Sequence, residues 1–131
     1  MSIFIDPNQE HPVSDDAGNT IWIKSKMDYG TETAVTTEAA RLNRGGDLLL
    51  KRPYELALLL HNIKRWEGPL FTGPDGRVTD CDRQHISQFD PNHPLIPKVL
   101  AEIDRLNAPP TAPPAVSSNG AGQKKATASV T

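Results

Sequence analysis

The chain has 131 residues, of which 37% are hydrophobic and 23% charged, and this is enough apolar material for one small domain. Its formal net charge of -2 gives no overall attraction to polyanions, so we expect neither nucleic acid nor a membrane as partner. One cysteine excludes an internal disulfide framework and fits a reducing compartment. No segment resembles a signal peptide or approaches the roughly 20 apolar residues of a membrane span, which favours a cytoplasmic protein.

The N-terminal residues predict an arm followed by a β-hairpin. Residues 3–5 form a short strand-like patch, so residues 1–12 are interpreted as a loose arm or an edge strand. The turn-forming residues 15–19 then precede residues 20–26, in which apolar and polar side chains alternate. This alternation places Trp22 on the face opposite its isoleucine neighbours. We favour the interpretation that Trp22 covers a second small core. The alternative is that Trp22 anchors a partner.

A first helix is predicted after the hairpin. Asp28 or Thr31 can cap a helix that runs towards Arg44, and Gly45-Gly46 supplies a stop. The side chains that share its apolar face are Val35, Ala39 and Leu42. Residues 48–50 are apolar and could form a third strand or lead into the next helix, and the sequence leaves both alternatives open.

Residues 53–69 predict the central core helix. Pro53 suits a first helical position, and Gly68 with Pro69 provides a C-terminal stop. Apolar residues recur between them at helical spacing, at Leu56, Leu59, Leu60, Ile63 and Trp66. We therefore expect one continuous helix that ends near Trp66.

Two further helices are predicted before the composition changes. Gly73-Pro74-Asp75-Gly76 is typical of a tight turn, and Thr79 resembles the start of a capping box for a helix with Ile86 and Phe89 inward. Pro94 or Pro97 begins the last helix, whose apolar stripe should pack against the central helix. This stripe consists of Ile96, Val99, Leu100, Ile103 and Leu106.

The expected architecture is mostly α, of the α+β class, with a small helical domain at residues 13–107. Residues 108–131 are rich in proline and small polar residues, and they predict a disordered tail that cannot bury enough apolar surface to order itself.

Few residues suggest chemistry. Cys81 and His85 lie four apart on a predicted helix, with His93 nearby, and could hold a metal or form a nucleophile and base pair. Structural zinc needs four ligands, and a catalytic pair needs an orienting group that no motif supplies. We therefore expect no catalytic residues, metal or cofactor, and a small metal-dependent hydrolase is the weakest functional alternative.

The order of several motifs resembles tail assembly chaperones of long-tailed bacteriophages. The resemblance covers most of residues 20–107. Its motifs are Met27-Asp28-Tyr29-Gly30, Ala39-Ala40-Arg41-Leu42, Leu58-Leu59-Leu60, Asn62-Ile63, Arg65-Trp66-Glu67-Gly68-Pro69, Phe89-Asp90-Pro91 and Glu102-Ile103-Asp104-Arg105-Leu106-Asn107.

The resemblance implies a non-enzymatic protein that binds the phage tape-measure protein, keeps it soluble and helps to recruit the tail-tube protein. Such a chaperone acts in the host cytoplasm, is absent from the mature virion and could form a homo-oligomer. The candidate partner-binding residues are Trp22, Met27, Tyr29, Trp66 and Pro69, although core packing is the favoured interpretation of Trp66. The alternative from another class is a structural virion protein, such as a head-tail connector or a tail completion component.

The resemblance also implies a longer form made by programmed ribosomal frameshifting. Gln123-Lys124-Lys125 could be encoded by a slippery run of adenines, and residues 108–122 would then link two domains. The alternative is that the two lysines only solubilise the tail.

Overall fold

The computed structural model describes residues 2–43 and 51–109. Within these ranges, four α-helices and a three-stranded antiparallel sheet confirm the predicted mostly helical α+β class. The elements in chain order are β1 (Glu10–Ser14), β2 (Thr20–Lys24), α1 (Tyr29–Leu42), α2 (Lys51–Asn62), β3 (Ile63–Glu67), a 3-10 turn (Pro69–Phe71), α3 (Arg83–Ser87) and α4 (Leu95–Asn107). None of the helices in this part of the chain has the length and apolar character to span a membrane.

The predicted hairpin is confirmed. Strands β1 and β2 pair antiparallel, with Val13 opposite Ile21, and both of these side chains are buried. The apolar patch at the N-terminus lies ahead of β1, outside the strand, and Ile3 and Phe4 are almost fully exposed. The edge strand therefore begins at Glu10, and residues 3–5 belong to an arm.

The prediction of one continuous helix to Trp66 is wrong. Helix α2 ends at Asn62, and the next five residues form β3, which pairs with β2. Arg65 lies opposite Trp22 and Ile63 lies opposite Ile23, so Lys64 is an extra, bulged residue. The bulge directs both Ile63 and Trp66 towards the core although they are three residues apart, a spacing that imitates a helix.

The start of α1 agrees with the prediction, because the Asp28 carboxylate accepts a 2.7 Å hydrogen bond from the Thr31 N–H. The helix ends at Leu42, two residues before the expected Arg44. The glycine stop at 45–46, the apolar residues 48–50 and the tail beyond residue 109 lie outside the described residues.

Side chains from the four helices and from the inner face of the sheet form the core. Ala57, Leu58 and Leu59 are the buried apolar residues of α2, whereas Leu56 and Leu60 are only half-buried. Helix α2 packs mainly on α1 and less extensively on α4. The expected contact between the central and last helices is therefore present, but it is not the principal one.

The start of the last helix agrees with the prediction, since Pro94 precedes α4 and Pro97 is its third residue. The capping box assigned to Thr79 is wrong. Helix α3 begins at Arg83, and its N-cap is Asp82. The Asp82 carboxylate accepts a hydrogen bond of 2.9 Å from the His85 N–H.

A buried junction joins the hairpin turn to the end of β3. The Asn19 side chain is 2% exposed, donates to Asp15 at 2.9 Å and accepts from the Leu70 N–H at 2.8 Å. Hydrogen bonds from Asn19, its backbone N–H foremost, lower the pKa of the Asp15 carboxyl. Gly68 adopts φ 121°, and a Cβ at this position would lie 2.6 Å from both the Asn19 Oδ1 and the Gly18 carbonyl oxygen. Only glycine fits there.

We predict that Gly68→Ala lowers the free energy of unfolding by roughly 2 to 5 kcal/mol, because it combines backbone strain with a clash against the turn. Urea unfolding followed by circular dichroism measures the loss. Gly30→Ala is the matched control, since Gly30 lies in the first turn of α1 and a Cβ there would meet its nearest atom at 3.5 Å. Equal midpoints for the two variants would show that the junction is not closely packed.

Candidate partner-binding groove

Three aromatic side chains gather where β3, the 3-10 turn and the end of α3 meet. The Trp66 and Phe71 rings are stacked with their centroids 4.9 Å apart, and Phe89 lies 5.5 Å from Trp66. The Trp66 indole N–H donates to the Thr79 carbonyl at 2.7 Å. This hydrogen bond satisfies the polar atom of a side chain that is only 5% exposed.

These rings form the floor of an open groove of about 290 Å³, which we call the aromatic groove. Its apolar lining is completed by Ile21, Leu70, Leu95 and Ile96, and its polar lining includes His85, Gln88, Asp90 and His93. Leu70 is 51% exposed, so a large apolar side chain faces solvent at the groove. An aromatic floor with a few polar groups around it is typical of a recognition site.

A second groove of about 280 Å³ adjoins the first. Phe89 and Ile96 line both grooves, and the second is otherwise lined mainly by Leu56, Leu59, Ile86 and Pro91. Arg52 and Glu55 also line it, and they form an ion pair with each other at 3.0 Å. Phe89 and Ile96 therefore form a wall that the two grooves share, and we call the two grooves together the apolar trough.

The loop after the 3-10 turn is held by backbone pairing. Thr72 and Val78 form an isolated antiparallel bridge, and the Thr79 N–H donates to the Phe71 carbonyl at 2.6 Å. Between them the predicted tight turn is confirmed, since the Gly76 N–H donates to the Gly73 carbonyl at 3.0 Å. This small hairpin fixes Phe71 under the groove and places Thr79 where the Trp66 indole needs an acceptor.

A buried carboxylate connects the helices beside the trough. Glu38 of α1 is almost fully buried and accepts hydrogen bonds from Arg83 of α3, at 2.7 Å, and from Arg41. His61 of α2 lies 3.4 Å from the same carboxylate. The hydrogen bond from Arg83 is the main cause of the lowered pKa of Glu38, which keeps the carboxylate ionised at neutral pH.

The five candidate partner-binding residues do not form one surface. Trp22 is half-buried on the outer face of the sheet, where the Arg65 guanidinium lies 3.8 Å from its ring centre. The favoured interpretation, that Trp22 covers a second small core, is wrong, because Arg65 covers its ring instead. The alternative, that Trp22 anchors a partner, stays a prediction. Trp66 is buried in the core, as favoured, and exposes little area to a partner although it lines the aromatic groove.

The other three candidates are also dispersed. Met27 is half-buried between β2 and α1, and its N–H donates to Asn107 at 2.7 Å. It lines a separate cleft of about 420 Å³ that includes the charged residues Glu32 and Asp104. Tyr29 is 93% exposed at the start of α1. Pro69 is exposed at the start of the 3-10 turn, next to Leu70 of the aromatic groove.

The predicted placement of Cys81 and His85 on one helix is wrong, because Cys81 lies ahead of α3. His85 instead bonds to the capping carboxylate of Asp82, at 2.7 Å from its Nδ1. Burial raises the pKa of the Cys81 thiol to about 11, so the thiol is protonated at neutral pH. Within residues 2–43 and 51–109, no group of three or more histidine, cysteine or carboxylate side chains is placed to hold a metal.

Sequence reasoning missed the groove residues Leu70 and Phe71, and it considered His93 only as a possible metal or catalytic residue. They lie in turns and loops, where periodicity carries no information about which side chains meet. One signal was present: the chain has only seven aromatic residues, and three of them fall within residues 66–89, which also contain several glycines and prolines. Such clustering favours an aromatic site built on loops.

The chain was also compared with known proteins. No protein-family model matches it, and neither the curated proteins nor the solved structures contain a match.

We predict that Trp66→Ala lowers the free energy of unfolding by about 3 to 5 kcal/mol, because it removes a buried ring from the aromatic cluster. Urea unfolding measures this loss. Trp22→Ala is the control and should cost less, since Trp22 is half-buried outside the core. A Trp66→Ala midpoint equal to that of the wild type would contradict the core placement.

A second prediction concerns pH. The pKa of Glu38 is lower in the folded chain than its ordinary value of 4.5, so its stabilising effect is complete above pH 4.5 and is lost as pH falls through the folded pKa. We expect Glu38→Gln to cost about 1 to 3 kcal/mol at pH 7, because it weakens charge-assisted bonds to Arg83 and Arg41. The difference from wild type should shrink in acid.

Urea midpoints of wild type and Glu38→Gln, measured from neutral pH down to about pH 3, show how the stabilising effect of Glu38 depends on pH. Glu32→Gln, at an exposed position of the same helix, is the control and should change the midpoint little at any pH. A Glu38→Gln difference that is independent of pH would argue against the ionised carboxylate as its cause.

Proposed function

We propose that the protein is a tail assembly chaperone of a long-tailed bacteriophage, and that the aromatic groove binds helical segments of the tape-measure protein. The observation that carries this proposal is the open apolar trough with Leu70 half-exposed above an aromatic floor. In this proposal the protein keeps the tape-measure protein soluble in the host cytoplasm, helps to recruit the tail-tube protein and does not remain in the virion.

The shape of the trough supports a helical ligand. An amphipathic helix presents apolar side chains one or two turns apart along one face. The aromatic groove and the second groove lie side by side, so successive side chains of one helix can enter them on either side of Phe89 and Ile96. Gln88, Asp90 and His93 can then bond to polar groups at the edge of the helix.

The small size of each groove supports reversible binding. Ligand pockets for small molecules usually enclose about 300 to 1,000 Å³, and each groove here lies at or below the lower end of this range. A single copy therefore buries few side chains of its partner. Many copies along one long helix would coat it through multivalency, and each copy could still be displaced by a tube subunit.

The resemblance to the chaperone family supports the proposal independently of the groove. Its motif Arg65-Trp66-Glu67-Gly68-Pro69 forms the end of β3 and the start of the 3-10 turn, beside the aromatic groove. The proposal therefore rests on these residues and on the chemistry of the groove.

Co-expression of the tape-measure protein with Leu70→Glu tests the proposal. We expect a charge at this position to abolish solubilisation, because it disrupts the apolar surface of the groove without removing a buried side chain. Val78→Glu is the matched control, since Val78 is 52% exposed and lies outside the residues that line either groove. The measurement is the fraction of tape-measure protein in the soluble lysate.

Thermal melts of the purified variants establish that both are folded. Loss of solubilisation by Leu70→Glu alone supports the groove. If wild type, Leu70→Glu and Val78→Glu all leave the tape-measure protein insoluble, the chaperone function itself is rejected. If all three solubilise it equally, the chaperone function is supported, but the aromatic groove is not its binding site.

A further inference from the structure

Two histidines line the aromatic groove, and each uses one ring nitrogen within the fold. The His85 Nδ1 lies 2.7 Å from the Asp82 carboxylate, and the His93 Nδ1 accepts a hydrogen bond of 3.2 Å from the Leu95 N–H. Both rings are half-buried. No described residue bonds to the Nε2 of either ring, so these two nitrogens remain free to bond to a ligand.

Asp82 fixes the tautomer of neutral His85. The hydrogen bond from the His85 backbone N–H is the main cause of the lowered pKa of the Asp82 carboxyl, which is ionised at neutral pH. An ionised carboxylate can only accept hydrogen bonds, so the proton of the neutral His85 ring lies on Nδ1. The free Nε2 of His85 is therefore an acceptor.

His93 has the opposite tautomer. The Leu95 N–H can only donate, so the Nδ1 that accepts from it carries no proton. The neutral His93 ring then carries its proton on Nε2, which is a donor. The His93 carbonyl also accepts from the Ile96 N–H at 3.0 Å, so two hydrogen bonds to the start of α4 hold this residue in place.

The groove therefore presents one acceptor and one donor of known polarity. A carboxylate of the ligand can only accept and would be repelled by the lone pair of His85, whereas an ammonium can only donate and would be repelled by the N–H of His93. A carboxamide both donates and accepts. Serine and threonine hydroxyls do so too, but in helices these short side chains often bond to their own backbone.

The remaining charge at the groove does not favour another side chain. Among the described residues that line it, Asp90 carries a full charge when both histidines are neutral. Asp90 is exposed, and its Oδ1 already accepts from the Asn92 N–H at 2.9 Å. An exposed carboxylate attracts a lysine only weakly and adds repulsion to a glutamate.

We propose that the aromatic groove selects a glutamine of the tape-measure helix, one turn away from the apolar side chain that fills the groove. The glutamine carboxamide donates to the His85 Nε2 and accepts from the His93 Nε2. Both histidines are specificity-determining residues, and Asp82 is a positioning residue. This inference rests on the proposed function, because it takes a helical segment as the ligand.

Four matched peptides test the selectivity in NMR titrations at about pH 8, above the ordinary imidazole pKa of roughly 6.5. Each is an alanine-rich helix with one phenylalanine, and the residues four before and four after it are both glutamine, glutamate, lysine or methionine. The shift of the Trp66 indole N–H signal gives the Kd. The glutamine peptide should bind at least about fivefold more tightly than each of the others.

Asp82→Asn tests the positioning role. Asparagine is also a good N-cap, but its amide can accept or donate and no longer fixes the His85 tautomer. The preference for glutamine over glutamate should fall at least about threefold. Asp28→Asn is the matched control, since it makes the same change at the N-cap of α1 and should leave the preference unchanged.

Long-range ¹H–¹⁵N spectra of the histidine rings report the tautomers directly. In the wild type, His85 should be protonated at Nδ1 and His93 at Nε2, and Asp82→Asn should alter only the His85 pattern. A purely structural role of Asp82 would leave both patterns as they are.

The inference is overturned if the four peptides bind equally, if none shifts the Trp66 signal at millimolar concentration, or if either ring has the other tautomer. An unchanged preference in folded Asp82→Asn also overturns it. None of these results bears on the chaperone function, which the co-expression of Leu70→Glu decides separately.

Discussion

The close approach of Gly68 to Asn19 determines how the two halves of the described structure meet. Asn19 belongs to the turn between β1 and β2, and Gly68 ends β3, so their contact sets where the chain leaves the sheet. The hydrogen bond from the Leu70 N–H to the Asn19 side chain then fixes the 3-10 turn. Without this junction, neither Leu70 nor Phe71 would have a defined position beside Trp66.

The aromatic groove follows from that constraint and from the bulge in β3. The bulge directs Trp66 inward, and the junction brings Phe71 against it at 4.9 Å. The ion pair between Glu38 and Arg83 places α3, and the helix leads into Phe89. Rigid elements therefore hold the floor of the groove, while Leu70 remains half-exposed above it. A rigid floor lowers the entropic cost of binding a helix.

Local signals in the sequence were sufficient for elements that depend on local chemistry. The Asp28 cap, the hairpin turn and the position of Pro97 near the start of α4 agree with the structure. Local signals did not predict where α2 ends. Ile63 and Trp66 have helical spacing, and the bulge at Lys64 that explains it depends on pairing with β2, which is a tertiary interaction.

The groove could be predicted only in part for the same reason. Trp66 was recognised as a core residue, but its neighbours Leu70, Phe71 and Phe89 come together through turns whose geometry depends on Asn19 and Gly68. Tyr29 and Met27, which were chosen from a motif of the family resemblance, lie elsewhere on the fold. Aromatic character identified candidates, whereas contacts distant in sequence determined which of them share a surface.

The indole N–H signals of the two tryptophans offer the most direct measurement of groove binding. In a two-dimensional ¹H–¹⁵N NMR titration with a soluble helical segment of the tape-measure protein, the account predicts that the Trp66 signal shifts, since its ring forms the groove floor. The Trp22 signal should remain in place, because Trp22 lies on the outer face of the sheet under Arg65. A bound segment that shifts Trp22 and leaves Trp66 unchanged would contradict the account.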